Sequence, residues 1–209
     1  FKNSNSFLFS KKEFKRATAE HFILDDIIIT KVLPDTLKIT VDEKIAAMQW
    51  NTAGRKYLLG SEGIIIKEVF SSKSPYKVFQ LTEETEEEES LKVTENGFIN
   101  IQNRGGEQVN LGDAVITYDH IKFIQGAFDQ IEQSNFFTIK AVFVPHTYPQ
   151  SVIFVHQDGW ELMLNLNDSL TQQMDRLNLL IQEKIGVDNL SKLEYIDLKL
   201  GESVYFKFK

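Results

Sequence analysis

The stretch Ser151-Val152-Ile153-Phe154-Val155-His156-Gln157-Asp158-Gly159-Trp160-Glu161-Leu162-Met163-Leu164 decides how this chain is read. Two runs rich in β-branched and aromatic residues, Ser151–His156 and Trp160–Leu166, flank Asp158-Gly159. Both residues of that dipeptide favour left-handed backbone, so the pattern predicts a β-hairpin. Ser169-Leu170-Thr171-Gln172 follows with capping-box spacing. It opens a predicted helix with Leu170, Met174, Leu177 and Ile181 on one stripe, closed by Gly186.

Downstream, Tyr195–Leu200 and Ser203–Lys209 read as the closing strands. In the last one Val204, Phe206 and Phe208 alternate with Tyr205, Lys207 and Lys209, so the first set is expected on the core and the second outside. Upstream, Phe137–Val144 reads as a strand. Asp119–Ser134 reads as a helix capped by Asp119, with Ile121, Ile124, Phe128 and Ile131 on one face. Two further hairpins are predicted, one turning at Gly60-Ser61-Glu62-Gly63 and one joining Phe98–Ile101 to Gln108–Leu111 through Arg104-Gly105-Gly106-Glu107. The spacing of these glycines matches no nucleotide-binding motif. The expected fold class is α+β, with residues 46–209 forming a mixed, mainly antiparallel β domain with two packed helices.

Residues 1–45 read as a smaller module. Ser10-Lys11-Lys12-Glu13 has capping-box spacing, and Phe14, Ala17, His21 and Phe22 follow at helical intervals. Ile27–Val32, a Pro34-Asp35 turn and the alternating Leu37, Ile39 and Val41 predict two strands, the second half-buried. Residues 1–60 carry 10 Lys and Arg against 7 Asp and Glu, whereas residues 61–209 carry 13 against 23. Much of that acidic excess is the run from Glu83 to Glu89, read as a solvated loop over about residues 82–90. The basic stretch Lys11–Arg16 reads as a solvated helix face; proximity to anionic lipid is its alternative.

A net charge of −7 argues against general nucleic-acid binding, which needs a basic field. No cysteine is present, which removes disulfides, zinc–thiolate sites and thiol nucleophiles. No Gly-x-Ser-x-Gly elbow occurs, and no carboxylate pair sits in the apolar setting that acid catalysis needs. Among the histidines, His146 and His156 could meet across paired strands with Asp158 nearby, but a metal site there lacks a fourth ligand. The expected catalytic, cofactor and metal residues are therefore none.

Two blocks carry a family resemblance. Leu33-Pro34-Asp35-Thr36-Leu37-Lys38-Ile39-Thr40-Val41-Asp42-Glu43 resembles the closing strand of a POTRA domain, and Ala46-Ala47-Met48-Gln49-Trp50 with Tyr57-Leu58-Leu59-Gly60-Ser61-Glu62-Gly63 resembles the stretch that follows it. Leu193-Glu194-Tyr195-Ile196-Asp197-Leu198-Lys199-Leu200-Gly201-Glu202-Ser203-Val204-Tyr205-Phe206-Lys207 is similar to the ending of the FtsQ/DivIB cell-division proteins. Lys199 stands where that family usually has Arg, Gly60 where it has Asp, and residues 70–118 match loosely.

The resemblance implies that residues 1–45 are the C-terminal part of a POTRA domain, the rest of which, with a single membrane span, would precede Phe1. It implies a non-enzymatic scaffold in the cell membrane, with this region extracytoplasmic at the division septum. The implied partners are other divisome proteins, FtsB/DivIC-like and FtsL-like coiled-coil proteins, one of which pairs a strand with edge strand 203–209. The implied partner-binding residues are Leu200, Gly201, Ser203, Val204, Tyr205, Phe206 and Lys207, with the outward lysines meeting acidic partner groups. Another POTRA-containing envelope assembly or transport protein is the second reading. A metal-dependent hydrolase using His146, His156 and Asp158 is the third.

Overall fold

A computed structural model describes residues 10–19, 23–32, 36–69, 94–95, 98–134, 136–145 and 150–209. His21, the Pro34-Asp35 turn, the run from Glu83 to Glu89 and His146 lie outside the described residues. The chain runs α1 (Lys11–Ala19), β1 (Leu24–Val32), β2 (Thr36–Glu43), β3 (Ala46–Thr52), β4 (Arg55–Gly60), β5 (Ile65–Val69), β6 (Thr94–Glu95), β7 (Phe98–Asn103), α2 (Tyr118–Glu132), β8 (Ile139–Val144), β9 (Ser151–His156), β10 (Glu161–Asn165), α3 (Leu170–Leu180), β11 (Leu193–Asp197) and β12 (Tyr205–Phe208). A π-helical turn, Ile181–Ile185, extends α3, and a 3-10 turn, Val187–Lys192, leads into β11. Among the described residues no helix is long and apolar enough to cross a membrane.

The fold is α+β. Strands β3 to β12 form a ten-stranded sheet in the order β12-β11-β10-β9-β8-β7-β3-β4-β5, with β6 on β7. The pairs β10/β11, β7/β8 and β3/β7 are parallel and the others antiparallel. Register lines up one row across the sheet: Trp50, Ile101, Val142, Phe154, Leu162, Ile196 and, at the last edge, Phe206. Because side chains alternate along a strand, that row shares one face. Its members join the core formed with Ile121, Ile124, Ala127 and Ile131 of α2 and Met174, Leu177 and Leu180 of α3. Gln173 is fully buried on that side of α3, yet both ends of its amide bond the backbone of Asn165 at 2.9 Å, which ties α3 to β10.

Both longer helices begin on a side-chain cap. Ser169 Oγ accepts from Gln172 N–H at 3.4 Å, as its spacing predicts. At α2 the cap is Thr117, which accepts from His120 N–H at 3.2 Å, rather than Asp119. Asp119 sits instead in the first turn, where its charge favours the helix dipole. The Asp158-Gly159 hairpin forms, but only Gly159 is left-handed, at φ +86°. His156 N–H donates to Trp160 O, and Gly159 N–H to His156 O, so the loop is a three-residue turn with a bulge.

The expected hairpin across Arg104–Glu107 does not form. Both sides of β7 are taken in parallel by β3 and β8, so Gln108–Leu111 has no edge of β7 to return to. The following segment crosses to β5 instead: Gly112 N–H donates to Ile65 O and Ile65 N–H to Asp113 O, each at 2.9 Å.

Before the large sheet, β1 and β2 form a separate two-stranded antiparallel sheet. Ser10 Oγ accepts from Glu13 N–H at 3.3 Å to start α1, as the capping box predicts. Ile27 and Ile29 of β1 are buried, but Ile39 and Val41, their partners on β2, are 40% and 45% exposed. The second strand is thus less buried than its alternation predicts. A nine-residue helix is only about 13 Å long, too short to cover both strands along their length. The two sheets are joined through Lys44 and Ile45, with Lys44 Nζ 2.5 Å from Glu62 Oε2.

Candidate partner-binding edge

Among the described residues, strand β12 is the last member of the sheet and pairs only with β11. What brings it there is the preceding Tyr195-Ile196-Asp197-Leu198-Lys199 run. Ile196 and Leu198 are fully buried, and Asp197 Oδ1 accepts from Lys199 N–H at 2.9 Å, turning the chain at the end of β11. Lys199 Nζ lies 3.4 Å from Asp197 Oδ2, so a basic residue at this position neutralises the turn's carboxylate. Leu200 is 60% exposed at the bend, Gly201 is left-handed at φ +62°, and Ser203 N–H donates to Leu200 O at 3.3 Å. The strand begins at Tyr205 rather than Ser203.

Along the edge, Val204 and Phe206 pack half-buried against the core, while Tyr205 is 52% exposed. Phe208 departs from its expected place on the core: it is 41% exposed and meets Phe206 edge-on at 5.7 Å. Its partner on β11, Leu193, is by contrast fully buried. The lysines also differ from expectation, because their ammonium groups are engaged within the chain. Lys207 Nζ is 2.6 Å from Glu194 Oε2, and the hydrogen bond to that carboxylate, then its charge, raises the Lys207 pKa. Lys209 Nζ donates to Asp158 O at 3.1 Å and Ser191 O at 3.4 Å.

Beside β12 runs a groove of about 260 Å³ against α3 and its π-helical turn, lined by the apolar Leu179, Val204 and Phe206 and by the charged Arg176, Lys184 and Glu202. No family model matches the chain, and no curated protein matches it. The site therefore rests on its own geometry. Leu179 escaped the sequence reading. The available signal was a leucine off the apolar stripe of α3, where it is 54% exposed.

Of the histidine site candidates, His146 lies outside the described residues, whereas His156 and Asp158 are described. His156 is buried at the end of β9, stacked on Trp160 at 5.1 Å with Phe137 edge-on to it. Its Nδ1 accepts from Asp158 N–H at 3.0 Å, which requires a neutral ring with the proton on Nε2. Burial lowers its pKa, against the raising effect of the Asp158 carboxylate at 3.4 Å. No cluster of three metal-ligating side chains occurs among the described residues. His120 Nε2 lies 3.2 Å from Asn167 Oδ1.

Proposed function

We propose that this chain is the extracytoplasmic region of an FtsQ/DivIB-like division scaffold, anchored by a single membrane span and acting without catalysis of its own. It would hold FtsB/DivIC-like and FtsL-like coiled-coil proteins at the septum by adding one of their segments to β12. The observation that carries the reading is the edge itself. Strand β12 has a neighbour on one side only, among the described residues, and runs beside a groove lined by Leu179, Val204 and Phe206. An edge strand supplies unpaired backbone donors and acceptors, and an adjoining apolar groove supplies a place for alternate side chains. The resemblance of Leu193–Lys207 to the family's ending falls on the same edge.

The test is binding of the extracytoplasmic segments of the two small division proteins to residues 1–209 and to a version ending at Leu200. Loss of binding on truncation, with the circular dichroism of the remainder retained, is the expected result. Equal binding by both forms would move the interface away from β12. No binding to either form, with both segments shown to be competent, would overturn the scaffold reading.

A further inference from the structure

Helix α1 carries its positive charge on one side. It reads Lys11-Lys12-Glu13-Phe14-Lys15-Arg16-Ala17-Thr18-Ala19, and successive side chains of a helix turn by about 100°. Lys11, Lys12, Lys15 and Arg16 therefore share a sector about 140° wide, and all four are exposed. The half-buried Phe14 and Thr18 fall outside that sector, as does Glu13, the only acid of the helix. Lys15 Nζ stands 3.5 Å from Asp26 Oδ1, but both side chains are more than half exposed, so the pair neutralises little. From Lys11 to Arg16 the helix axis advances about 7.5 Å, against a Debye length of about 8 Å at physiological salt, so the four charges act together. Helix stability does not account for them. Lys11 and Lys12 occupy the first turn, where the helix dipole disfavours cations, and Ser10 already caps that turn.

We propose that the Lys11, Lys12, Lys15 and Arg16 face of α1 docks on a bilayer surface rich in anionic phospholipid. The inference goes beyond the scaffold reading and uses a surface remote in the sequence from β12. Charge complementarity selects the occupant. A bilayer offers a plane of phosphates, and an exposed cationic helix face meets several of them at once without needing a pocket. Arg16 adds the forked geometry that suits a phosphate group. The rest of the chain works in the opposite sense, since residues 61–209 carry 13 Lys and Arg against 23 Asp and Glu. A molecule of net charge −7 is repelled as a whole by an anionic surface, so attraction is confined to the segregated patch. The same asymmetry orients the chain, with α1 toward the lipid and the acidic excess away from it.

Vesicle flotation of residues 1–209 tests this, with vesicles of phosphatidylcholine alone and of an equimolar mixture with phosphatidylglycerol. Partition onto the anionic vesicles is expected to exceed that onto the neutral ones at least about tenfold, and to vanish in about 1 M salt. Lys12→Gln combined with Arg16→Gln should lower it about tenfold, with the circular dichroism and urea midpoint unchanged. Lys122→Gln combined with Lys140→Gln removes the same charge from exposed positions on α2 and β8, and should leave partition within about twofold. An equal loss in both double variants would overturn the assignment to α1. Equal partition onto neutral and anionic vesicles would overturn the electrostatic basis. Failure to bind the anionic vesicles would overturn the inference outright, and capture of poly-glutamate through Lys12 and Arg16 would then give the face to an acidic protein. None of these outcomes involves β12, so the scaffold reading stands or falls by its own truncation experiment.

Discussion

At one end of the ten-stranded sheet, β5 receives the chain's own backbone. Ile65 exchanges hydrogen bonds with Asp113 and Gly112, Val115 N–H donates to Gly63 O, and Ile64 bridges Ala114. At the other end, β12 receives no such covering strand among the described residues. Its protection comes from side chains: Lys207 tied to Glu194 and Lys209 tied to two carbonyls. An edge closed by backbone has its donors and acceptors satisfied. An edge guarded by side chains keeps them, and a partner strand can still use them.

The largest effect is expected where the closed edge depends on a missing side chain. Gly63 is left-handed at φ +81°, and a Cβ there would lie 1.7 Å from Ile116 O. Gly63→Ala should therefore cost on the order of 3 kcal/mol in urea unfolding and expose the Ile65 amide to exchange. A loss under about 1 kcal/mol would show that the Asp113–Ile116 segment does not close β5.

The β12 end offers a pH-dependent counterpart through the turn that Lys209 grips. The His156 pKa is lowered in the fold from its ordinary 6.5. Above that value both folded and unfolded forms are neutral and the contribution is complete. As pH falls through it the unfolded chain takes the proton first, so stability declines until the folded-state pKa is passed. Urea midpoints at about pH 7.5 and 5.5 should diverge more in the natural protein than in His156→Phe, which removes this titration. An unchanged difference would place the acid sensitivity elsewhere.

A gain is expected in the hairpin next to β5. Ala53 and Gly54, at φ +50° and +71°, form a turn between β3 and β4, where alanine is a poor left-handed residue. Ala53→Asn should raise stability by about 0.5–1 kcal/mol, read as a higher unfolding midpoint. The smallest change in stability belongs to Lys207→Met, because an exposed ion pair contributes little. That variant should instead raise self-association in sedimentation velocity, and a purely monomeric variant would show that the charge does not guard the edge.

Much of the fold was legible locally. Asp158-Gly159 between two apolar runs marked β9 and β10, and Ser169 with the Leu170, Met174, Leu177 and Ile181 stripe marked α3. These signals involve residues within a few turns of one another. The hairpin proposed across Arg104–Glu107 failed because its outcome depended on β3 and β8, far away in the chain, claiming both sides of β7. Ala53-Gly54 passed unnoticed because alanine carries no left-handed signal.

The candidate edge divides along the same line. Its alternation, its terminal position and the half-buried places of Val204 and Phe206 were readable, since period-two patterning belongs to the strand itself. The bulge at Glu194, the capture of both lysine ammonium groups and the groove beside Leu179 were not, because each joins β12 to another element. By itself the sequence determined which residues become strands and helices and which side of each is apolar, through local spacing and steric preference. Only the tertiary structure decided which strands are neighbours and which edge the chain's own backbone closes. Those outcomes depend on competition between distant segments for the same backbone hydrogen bonds.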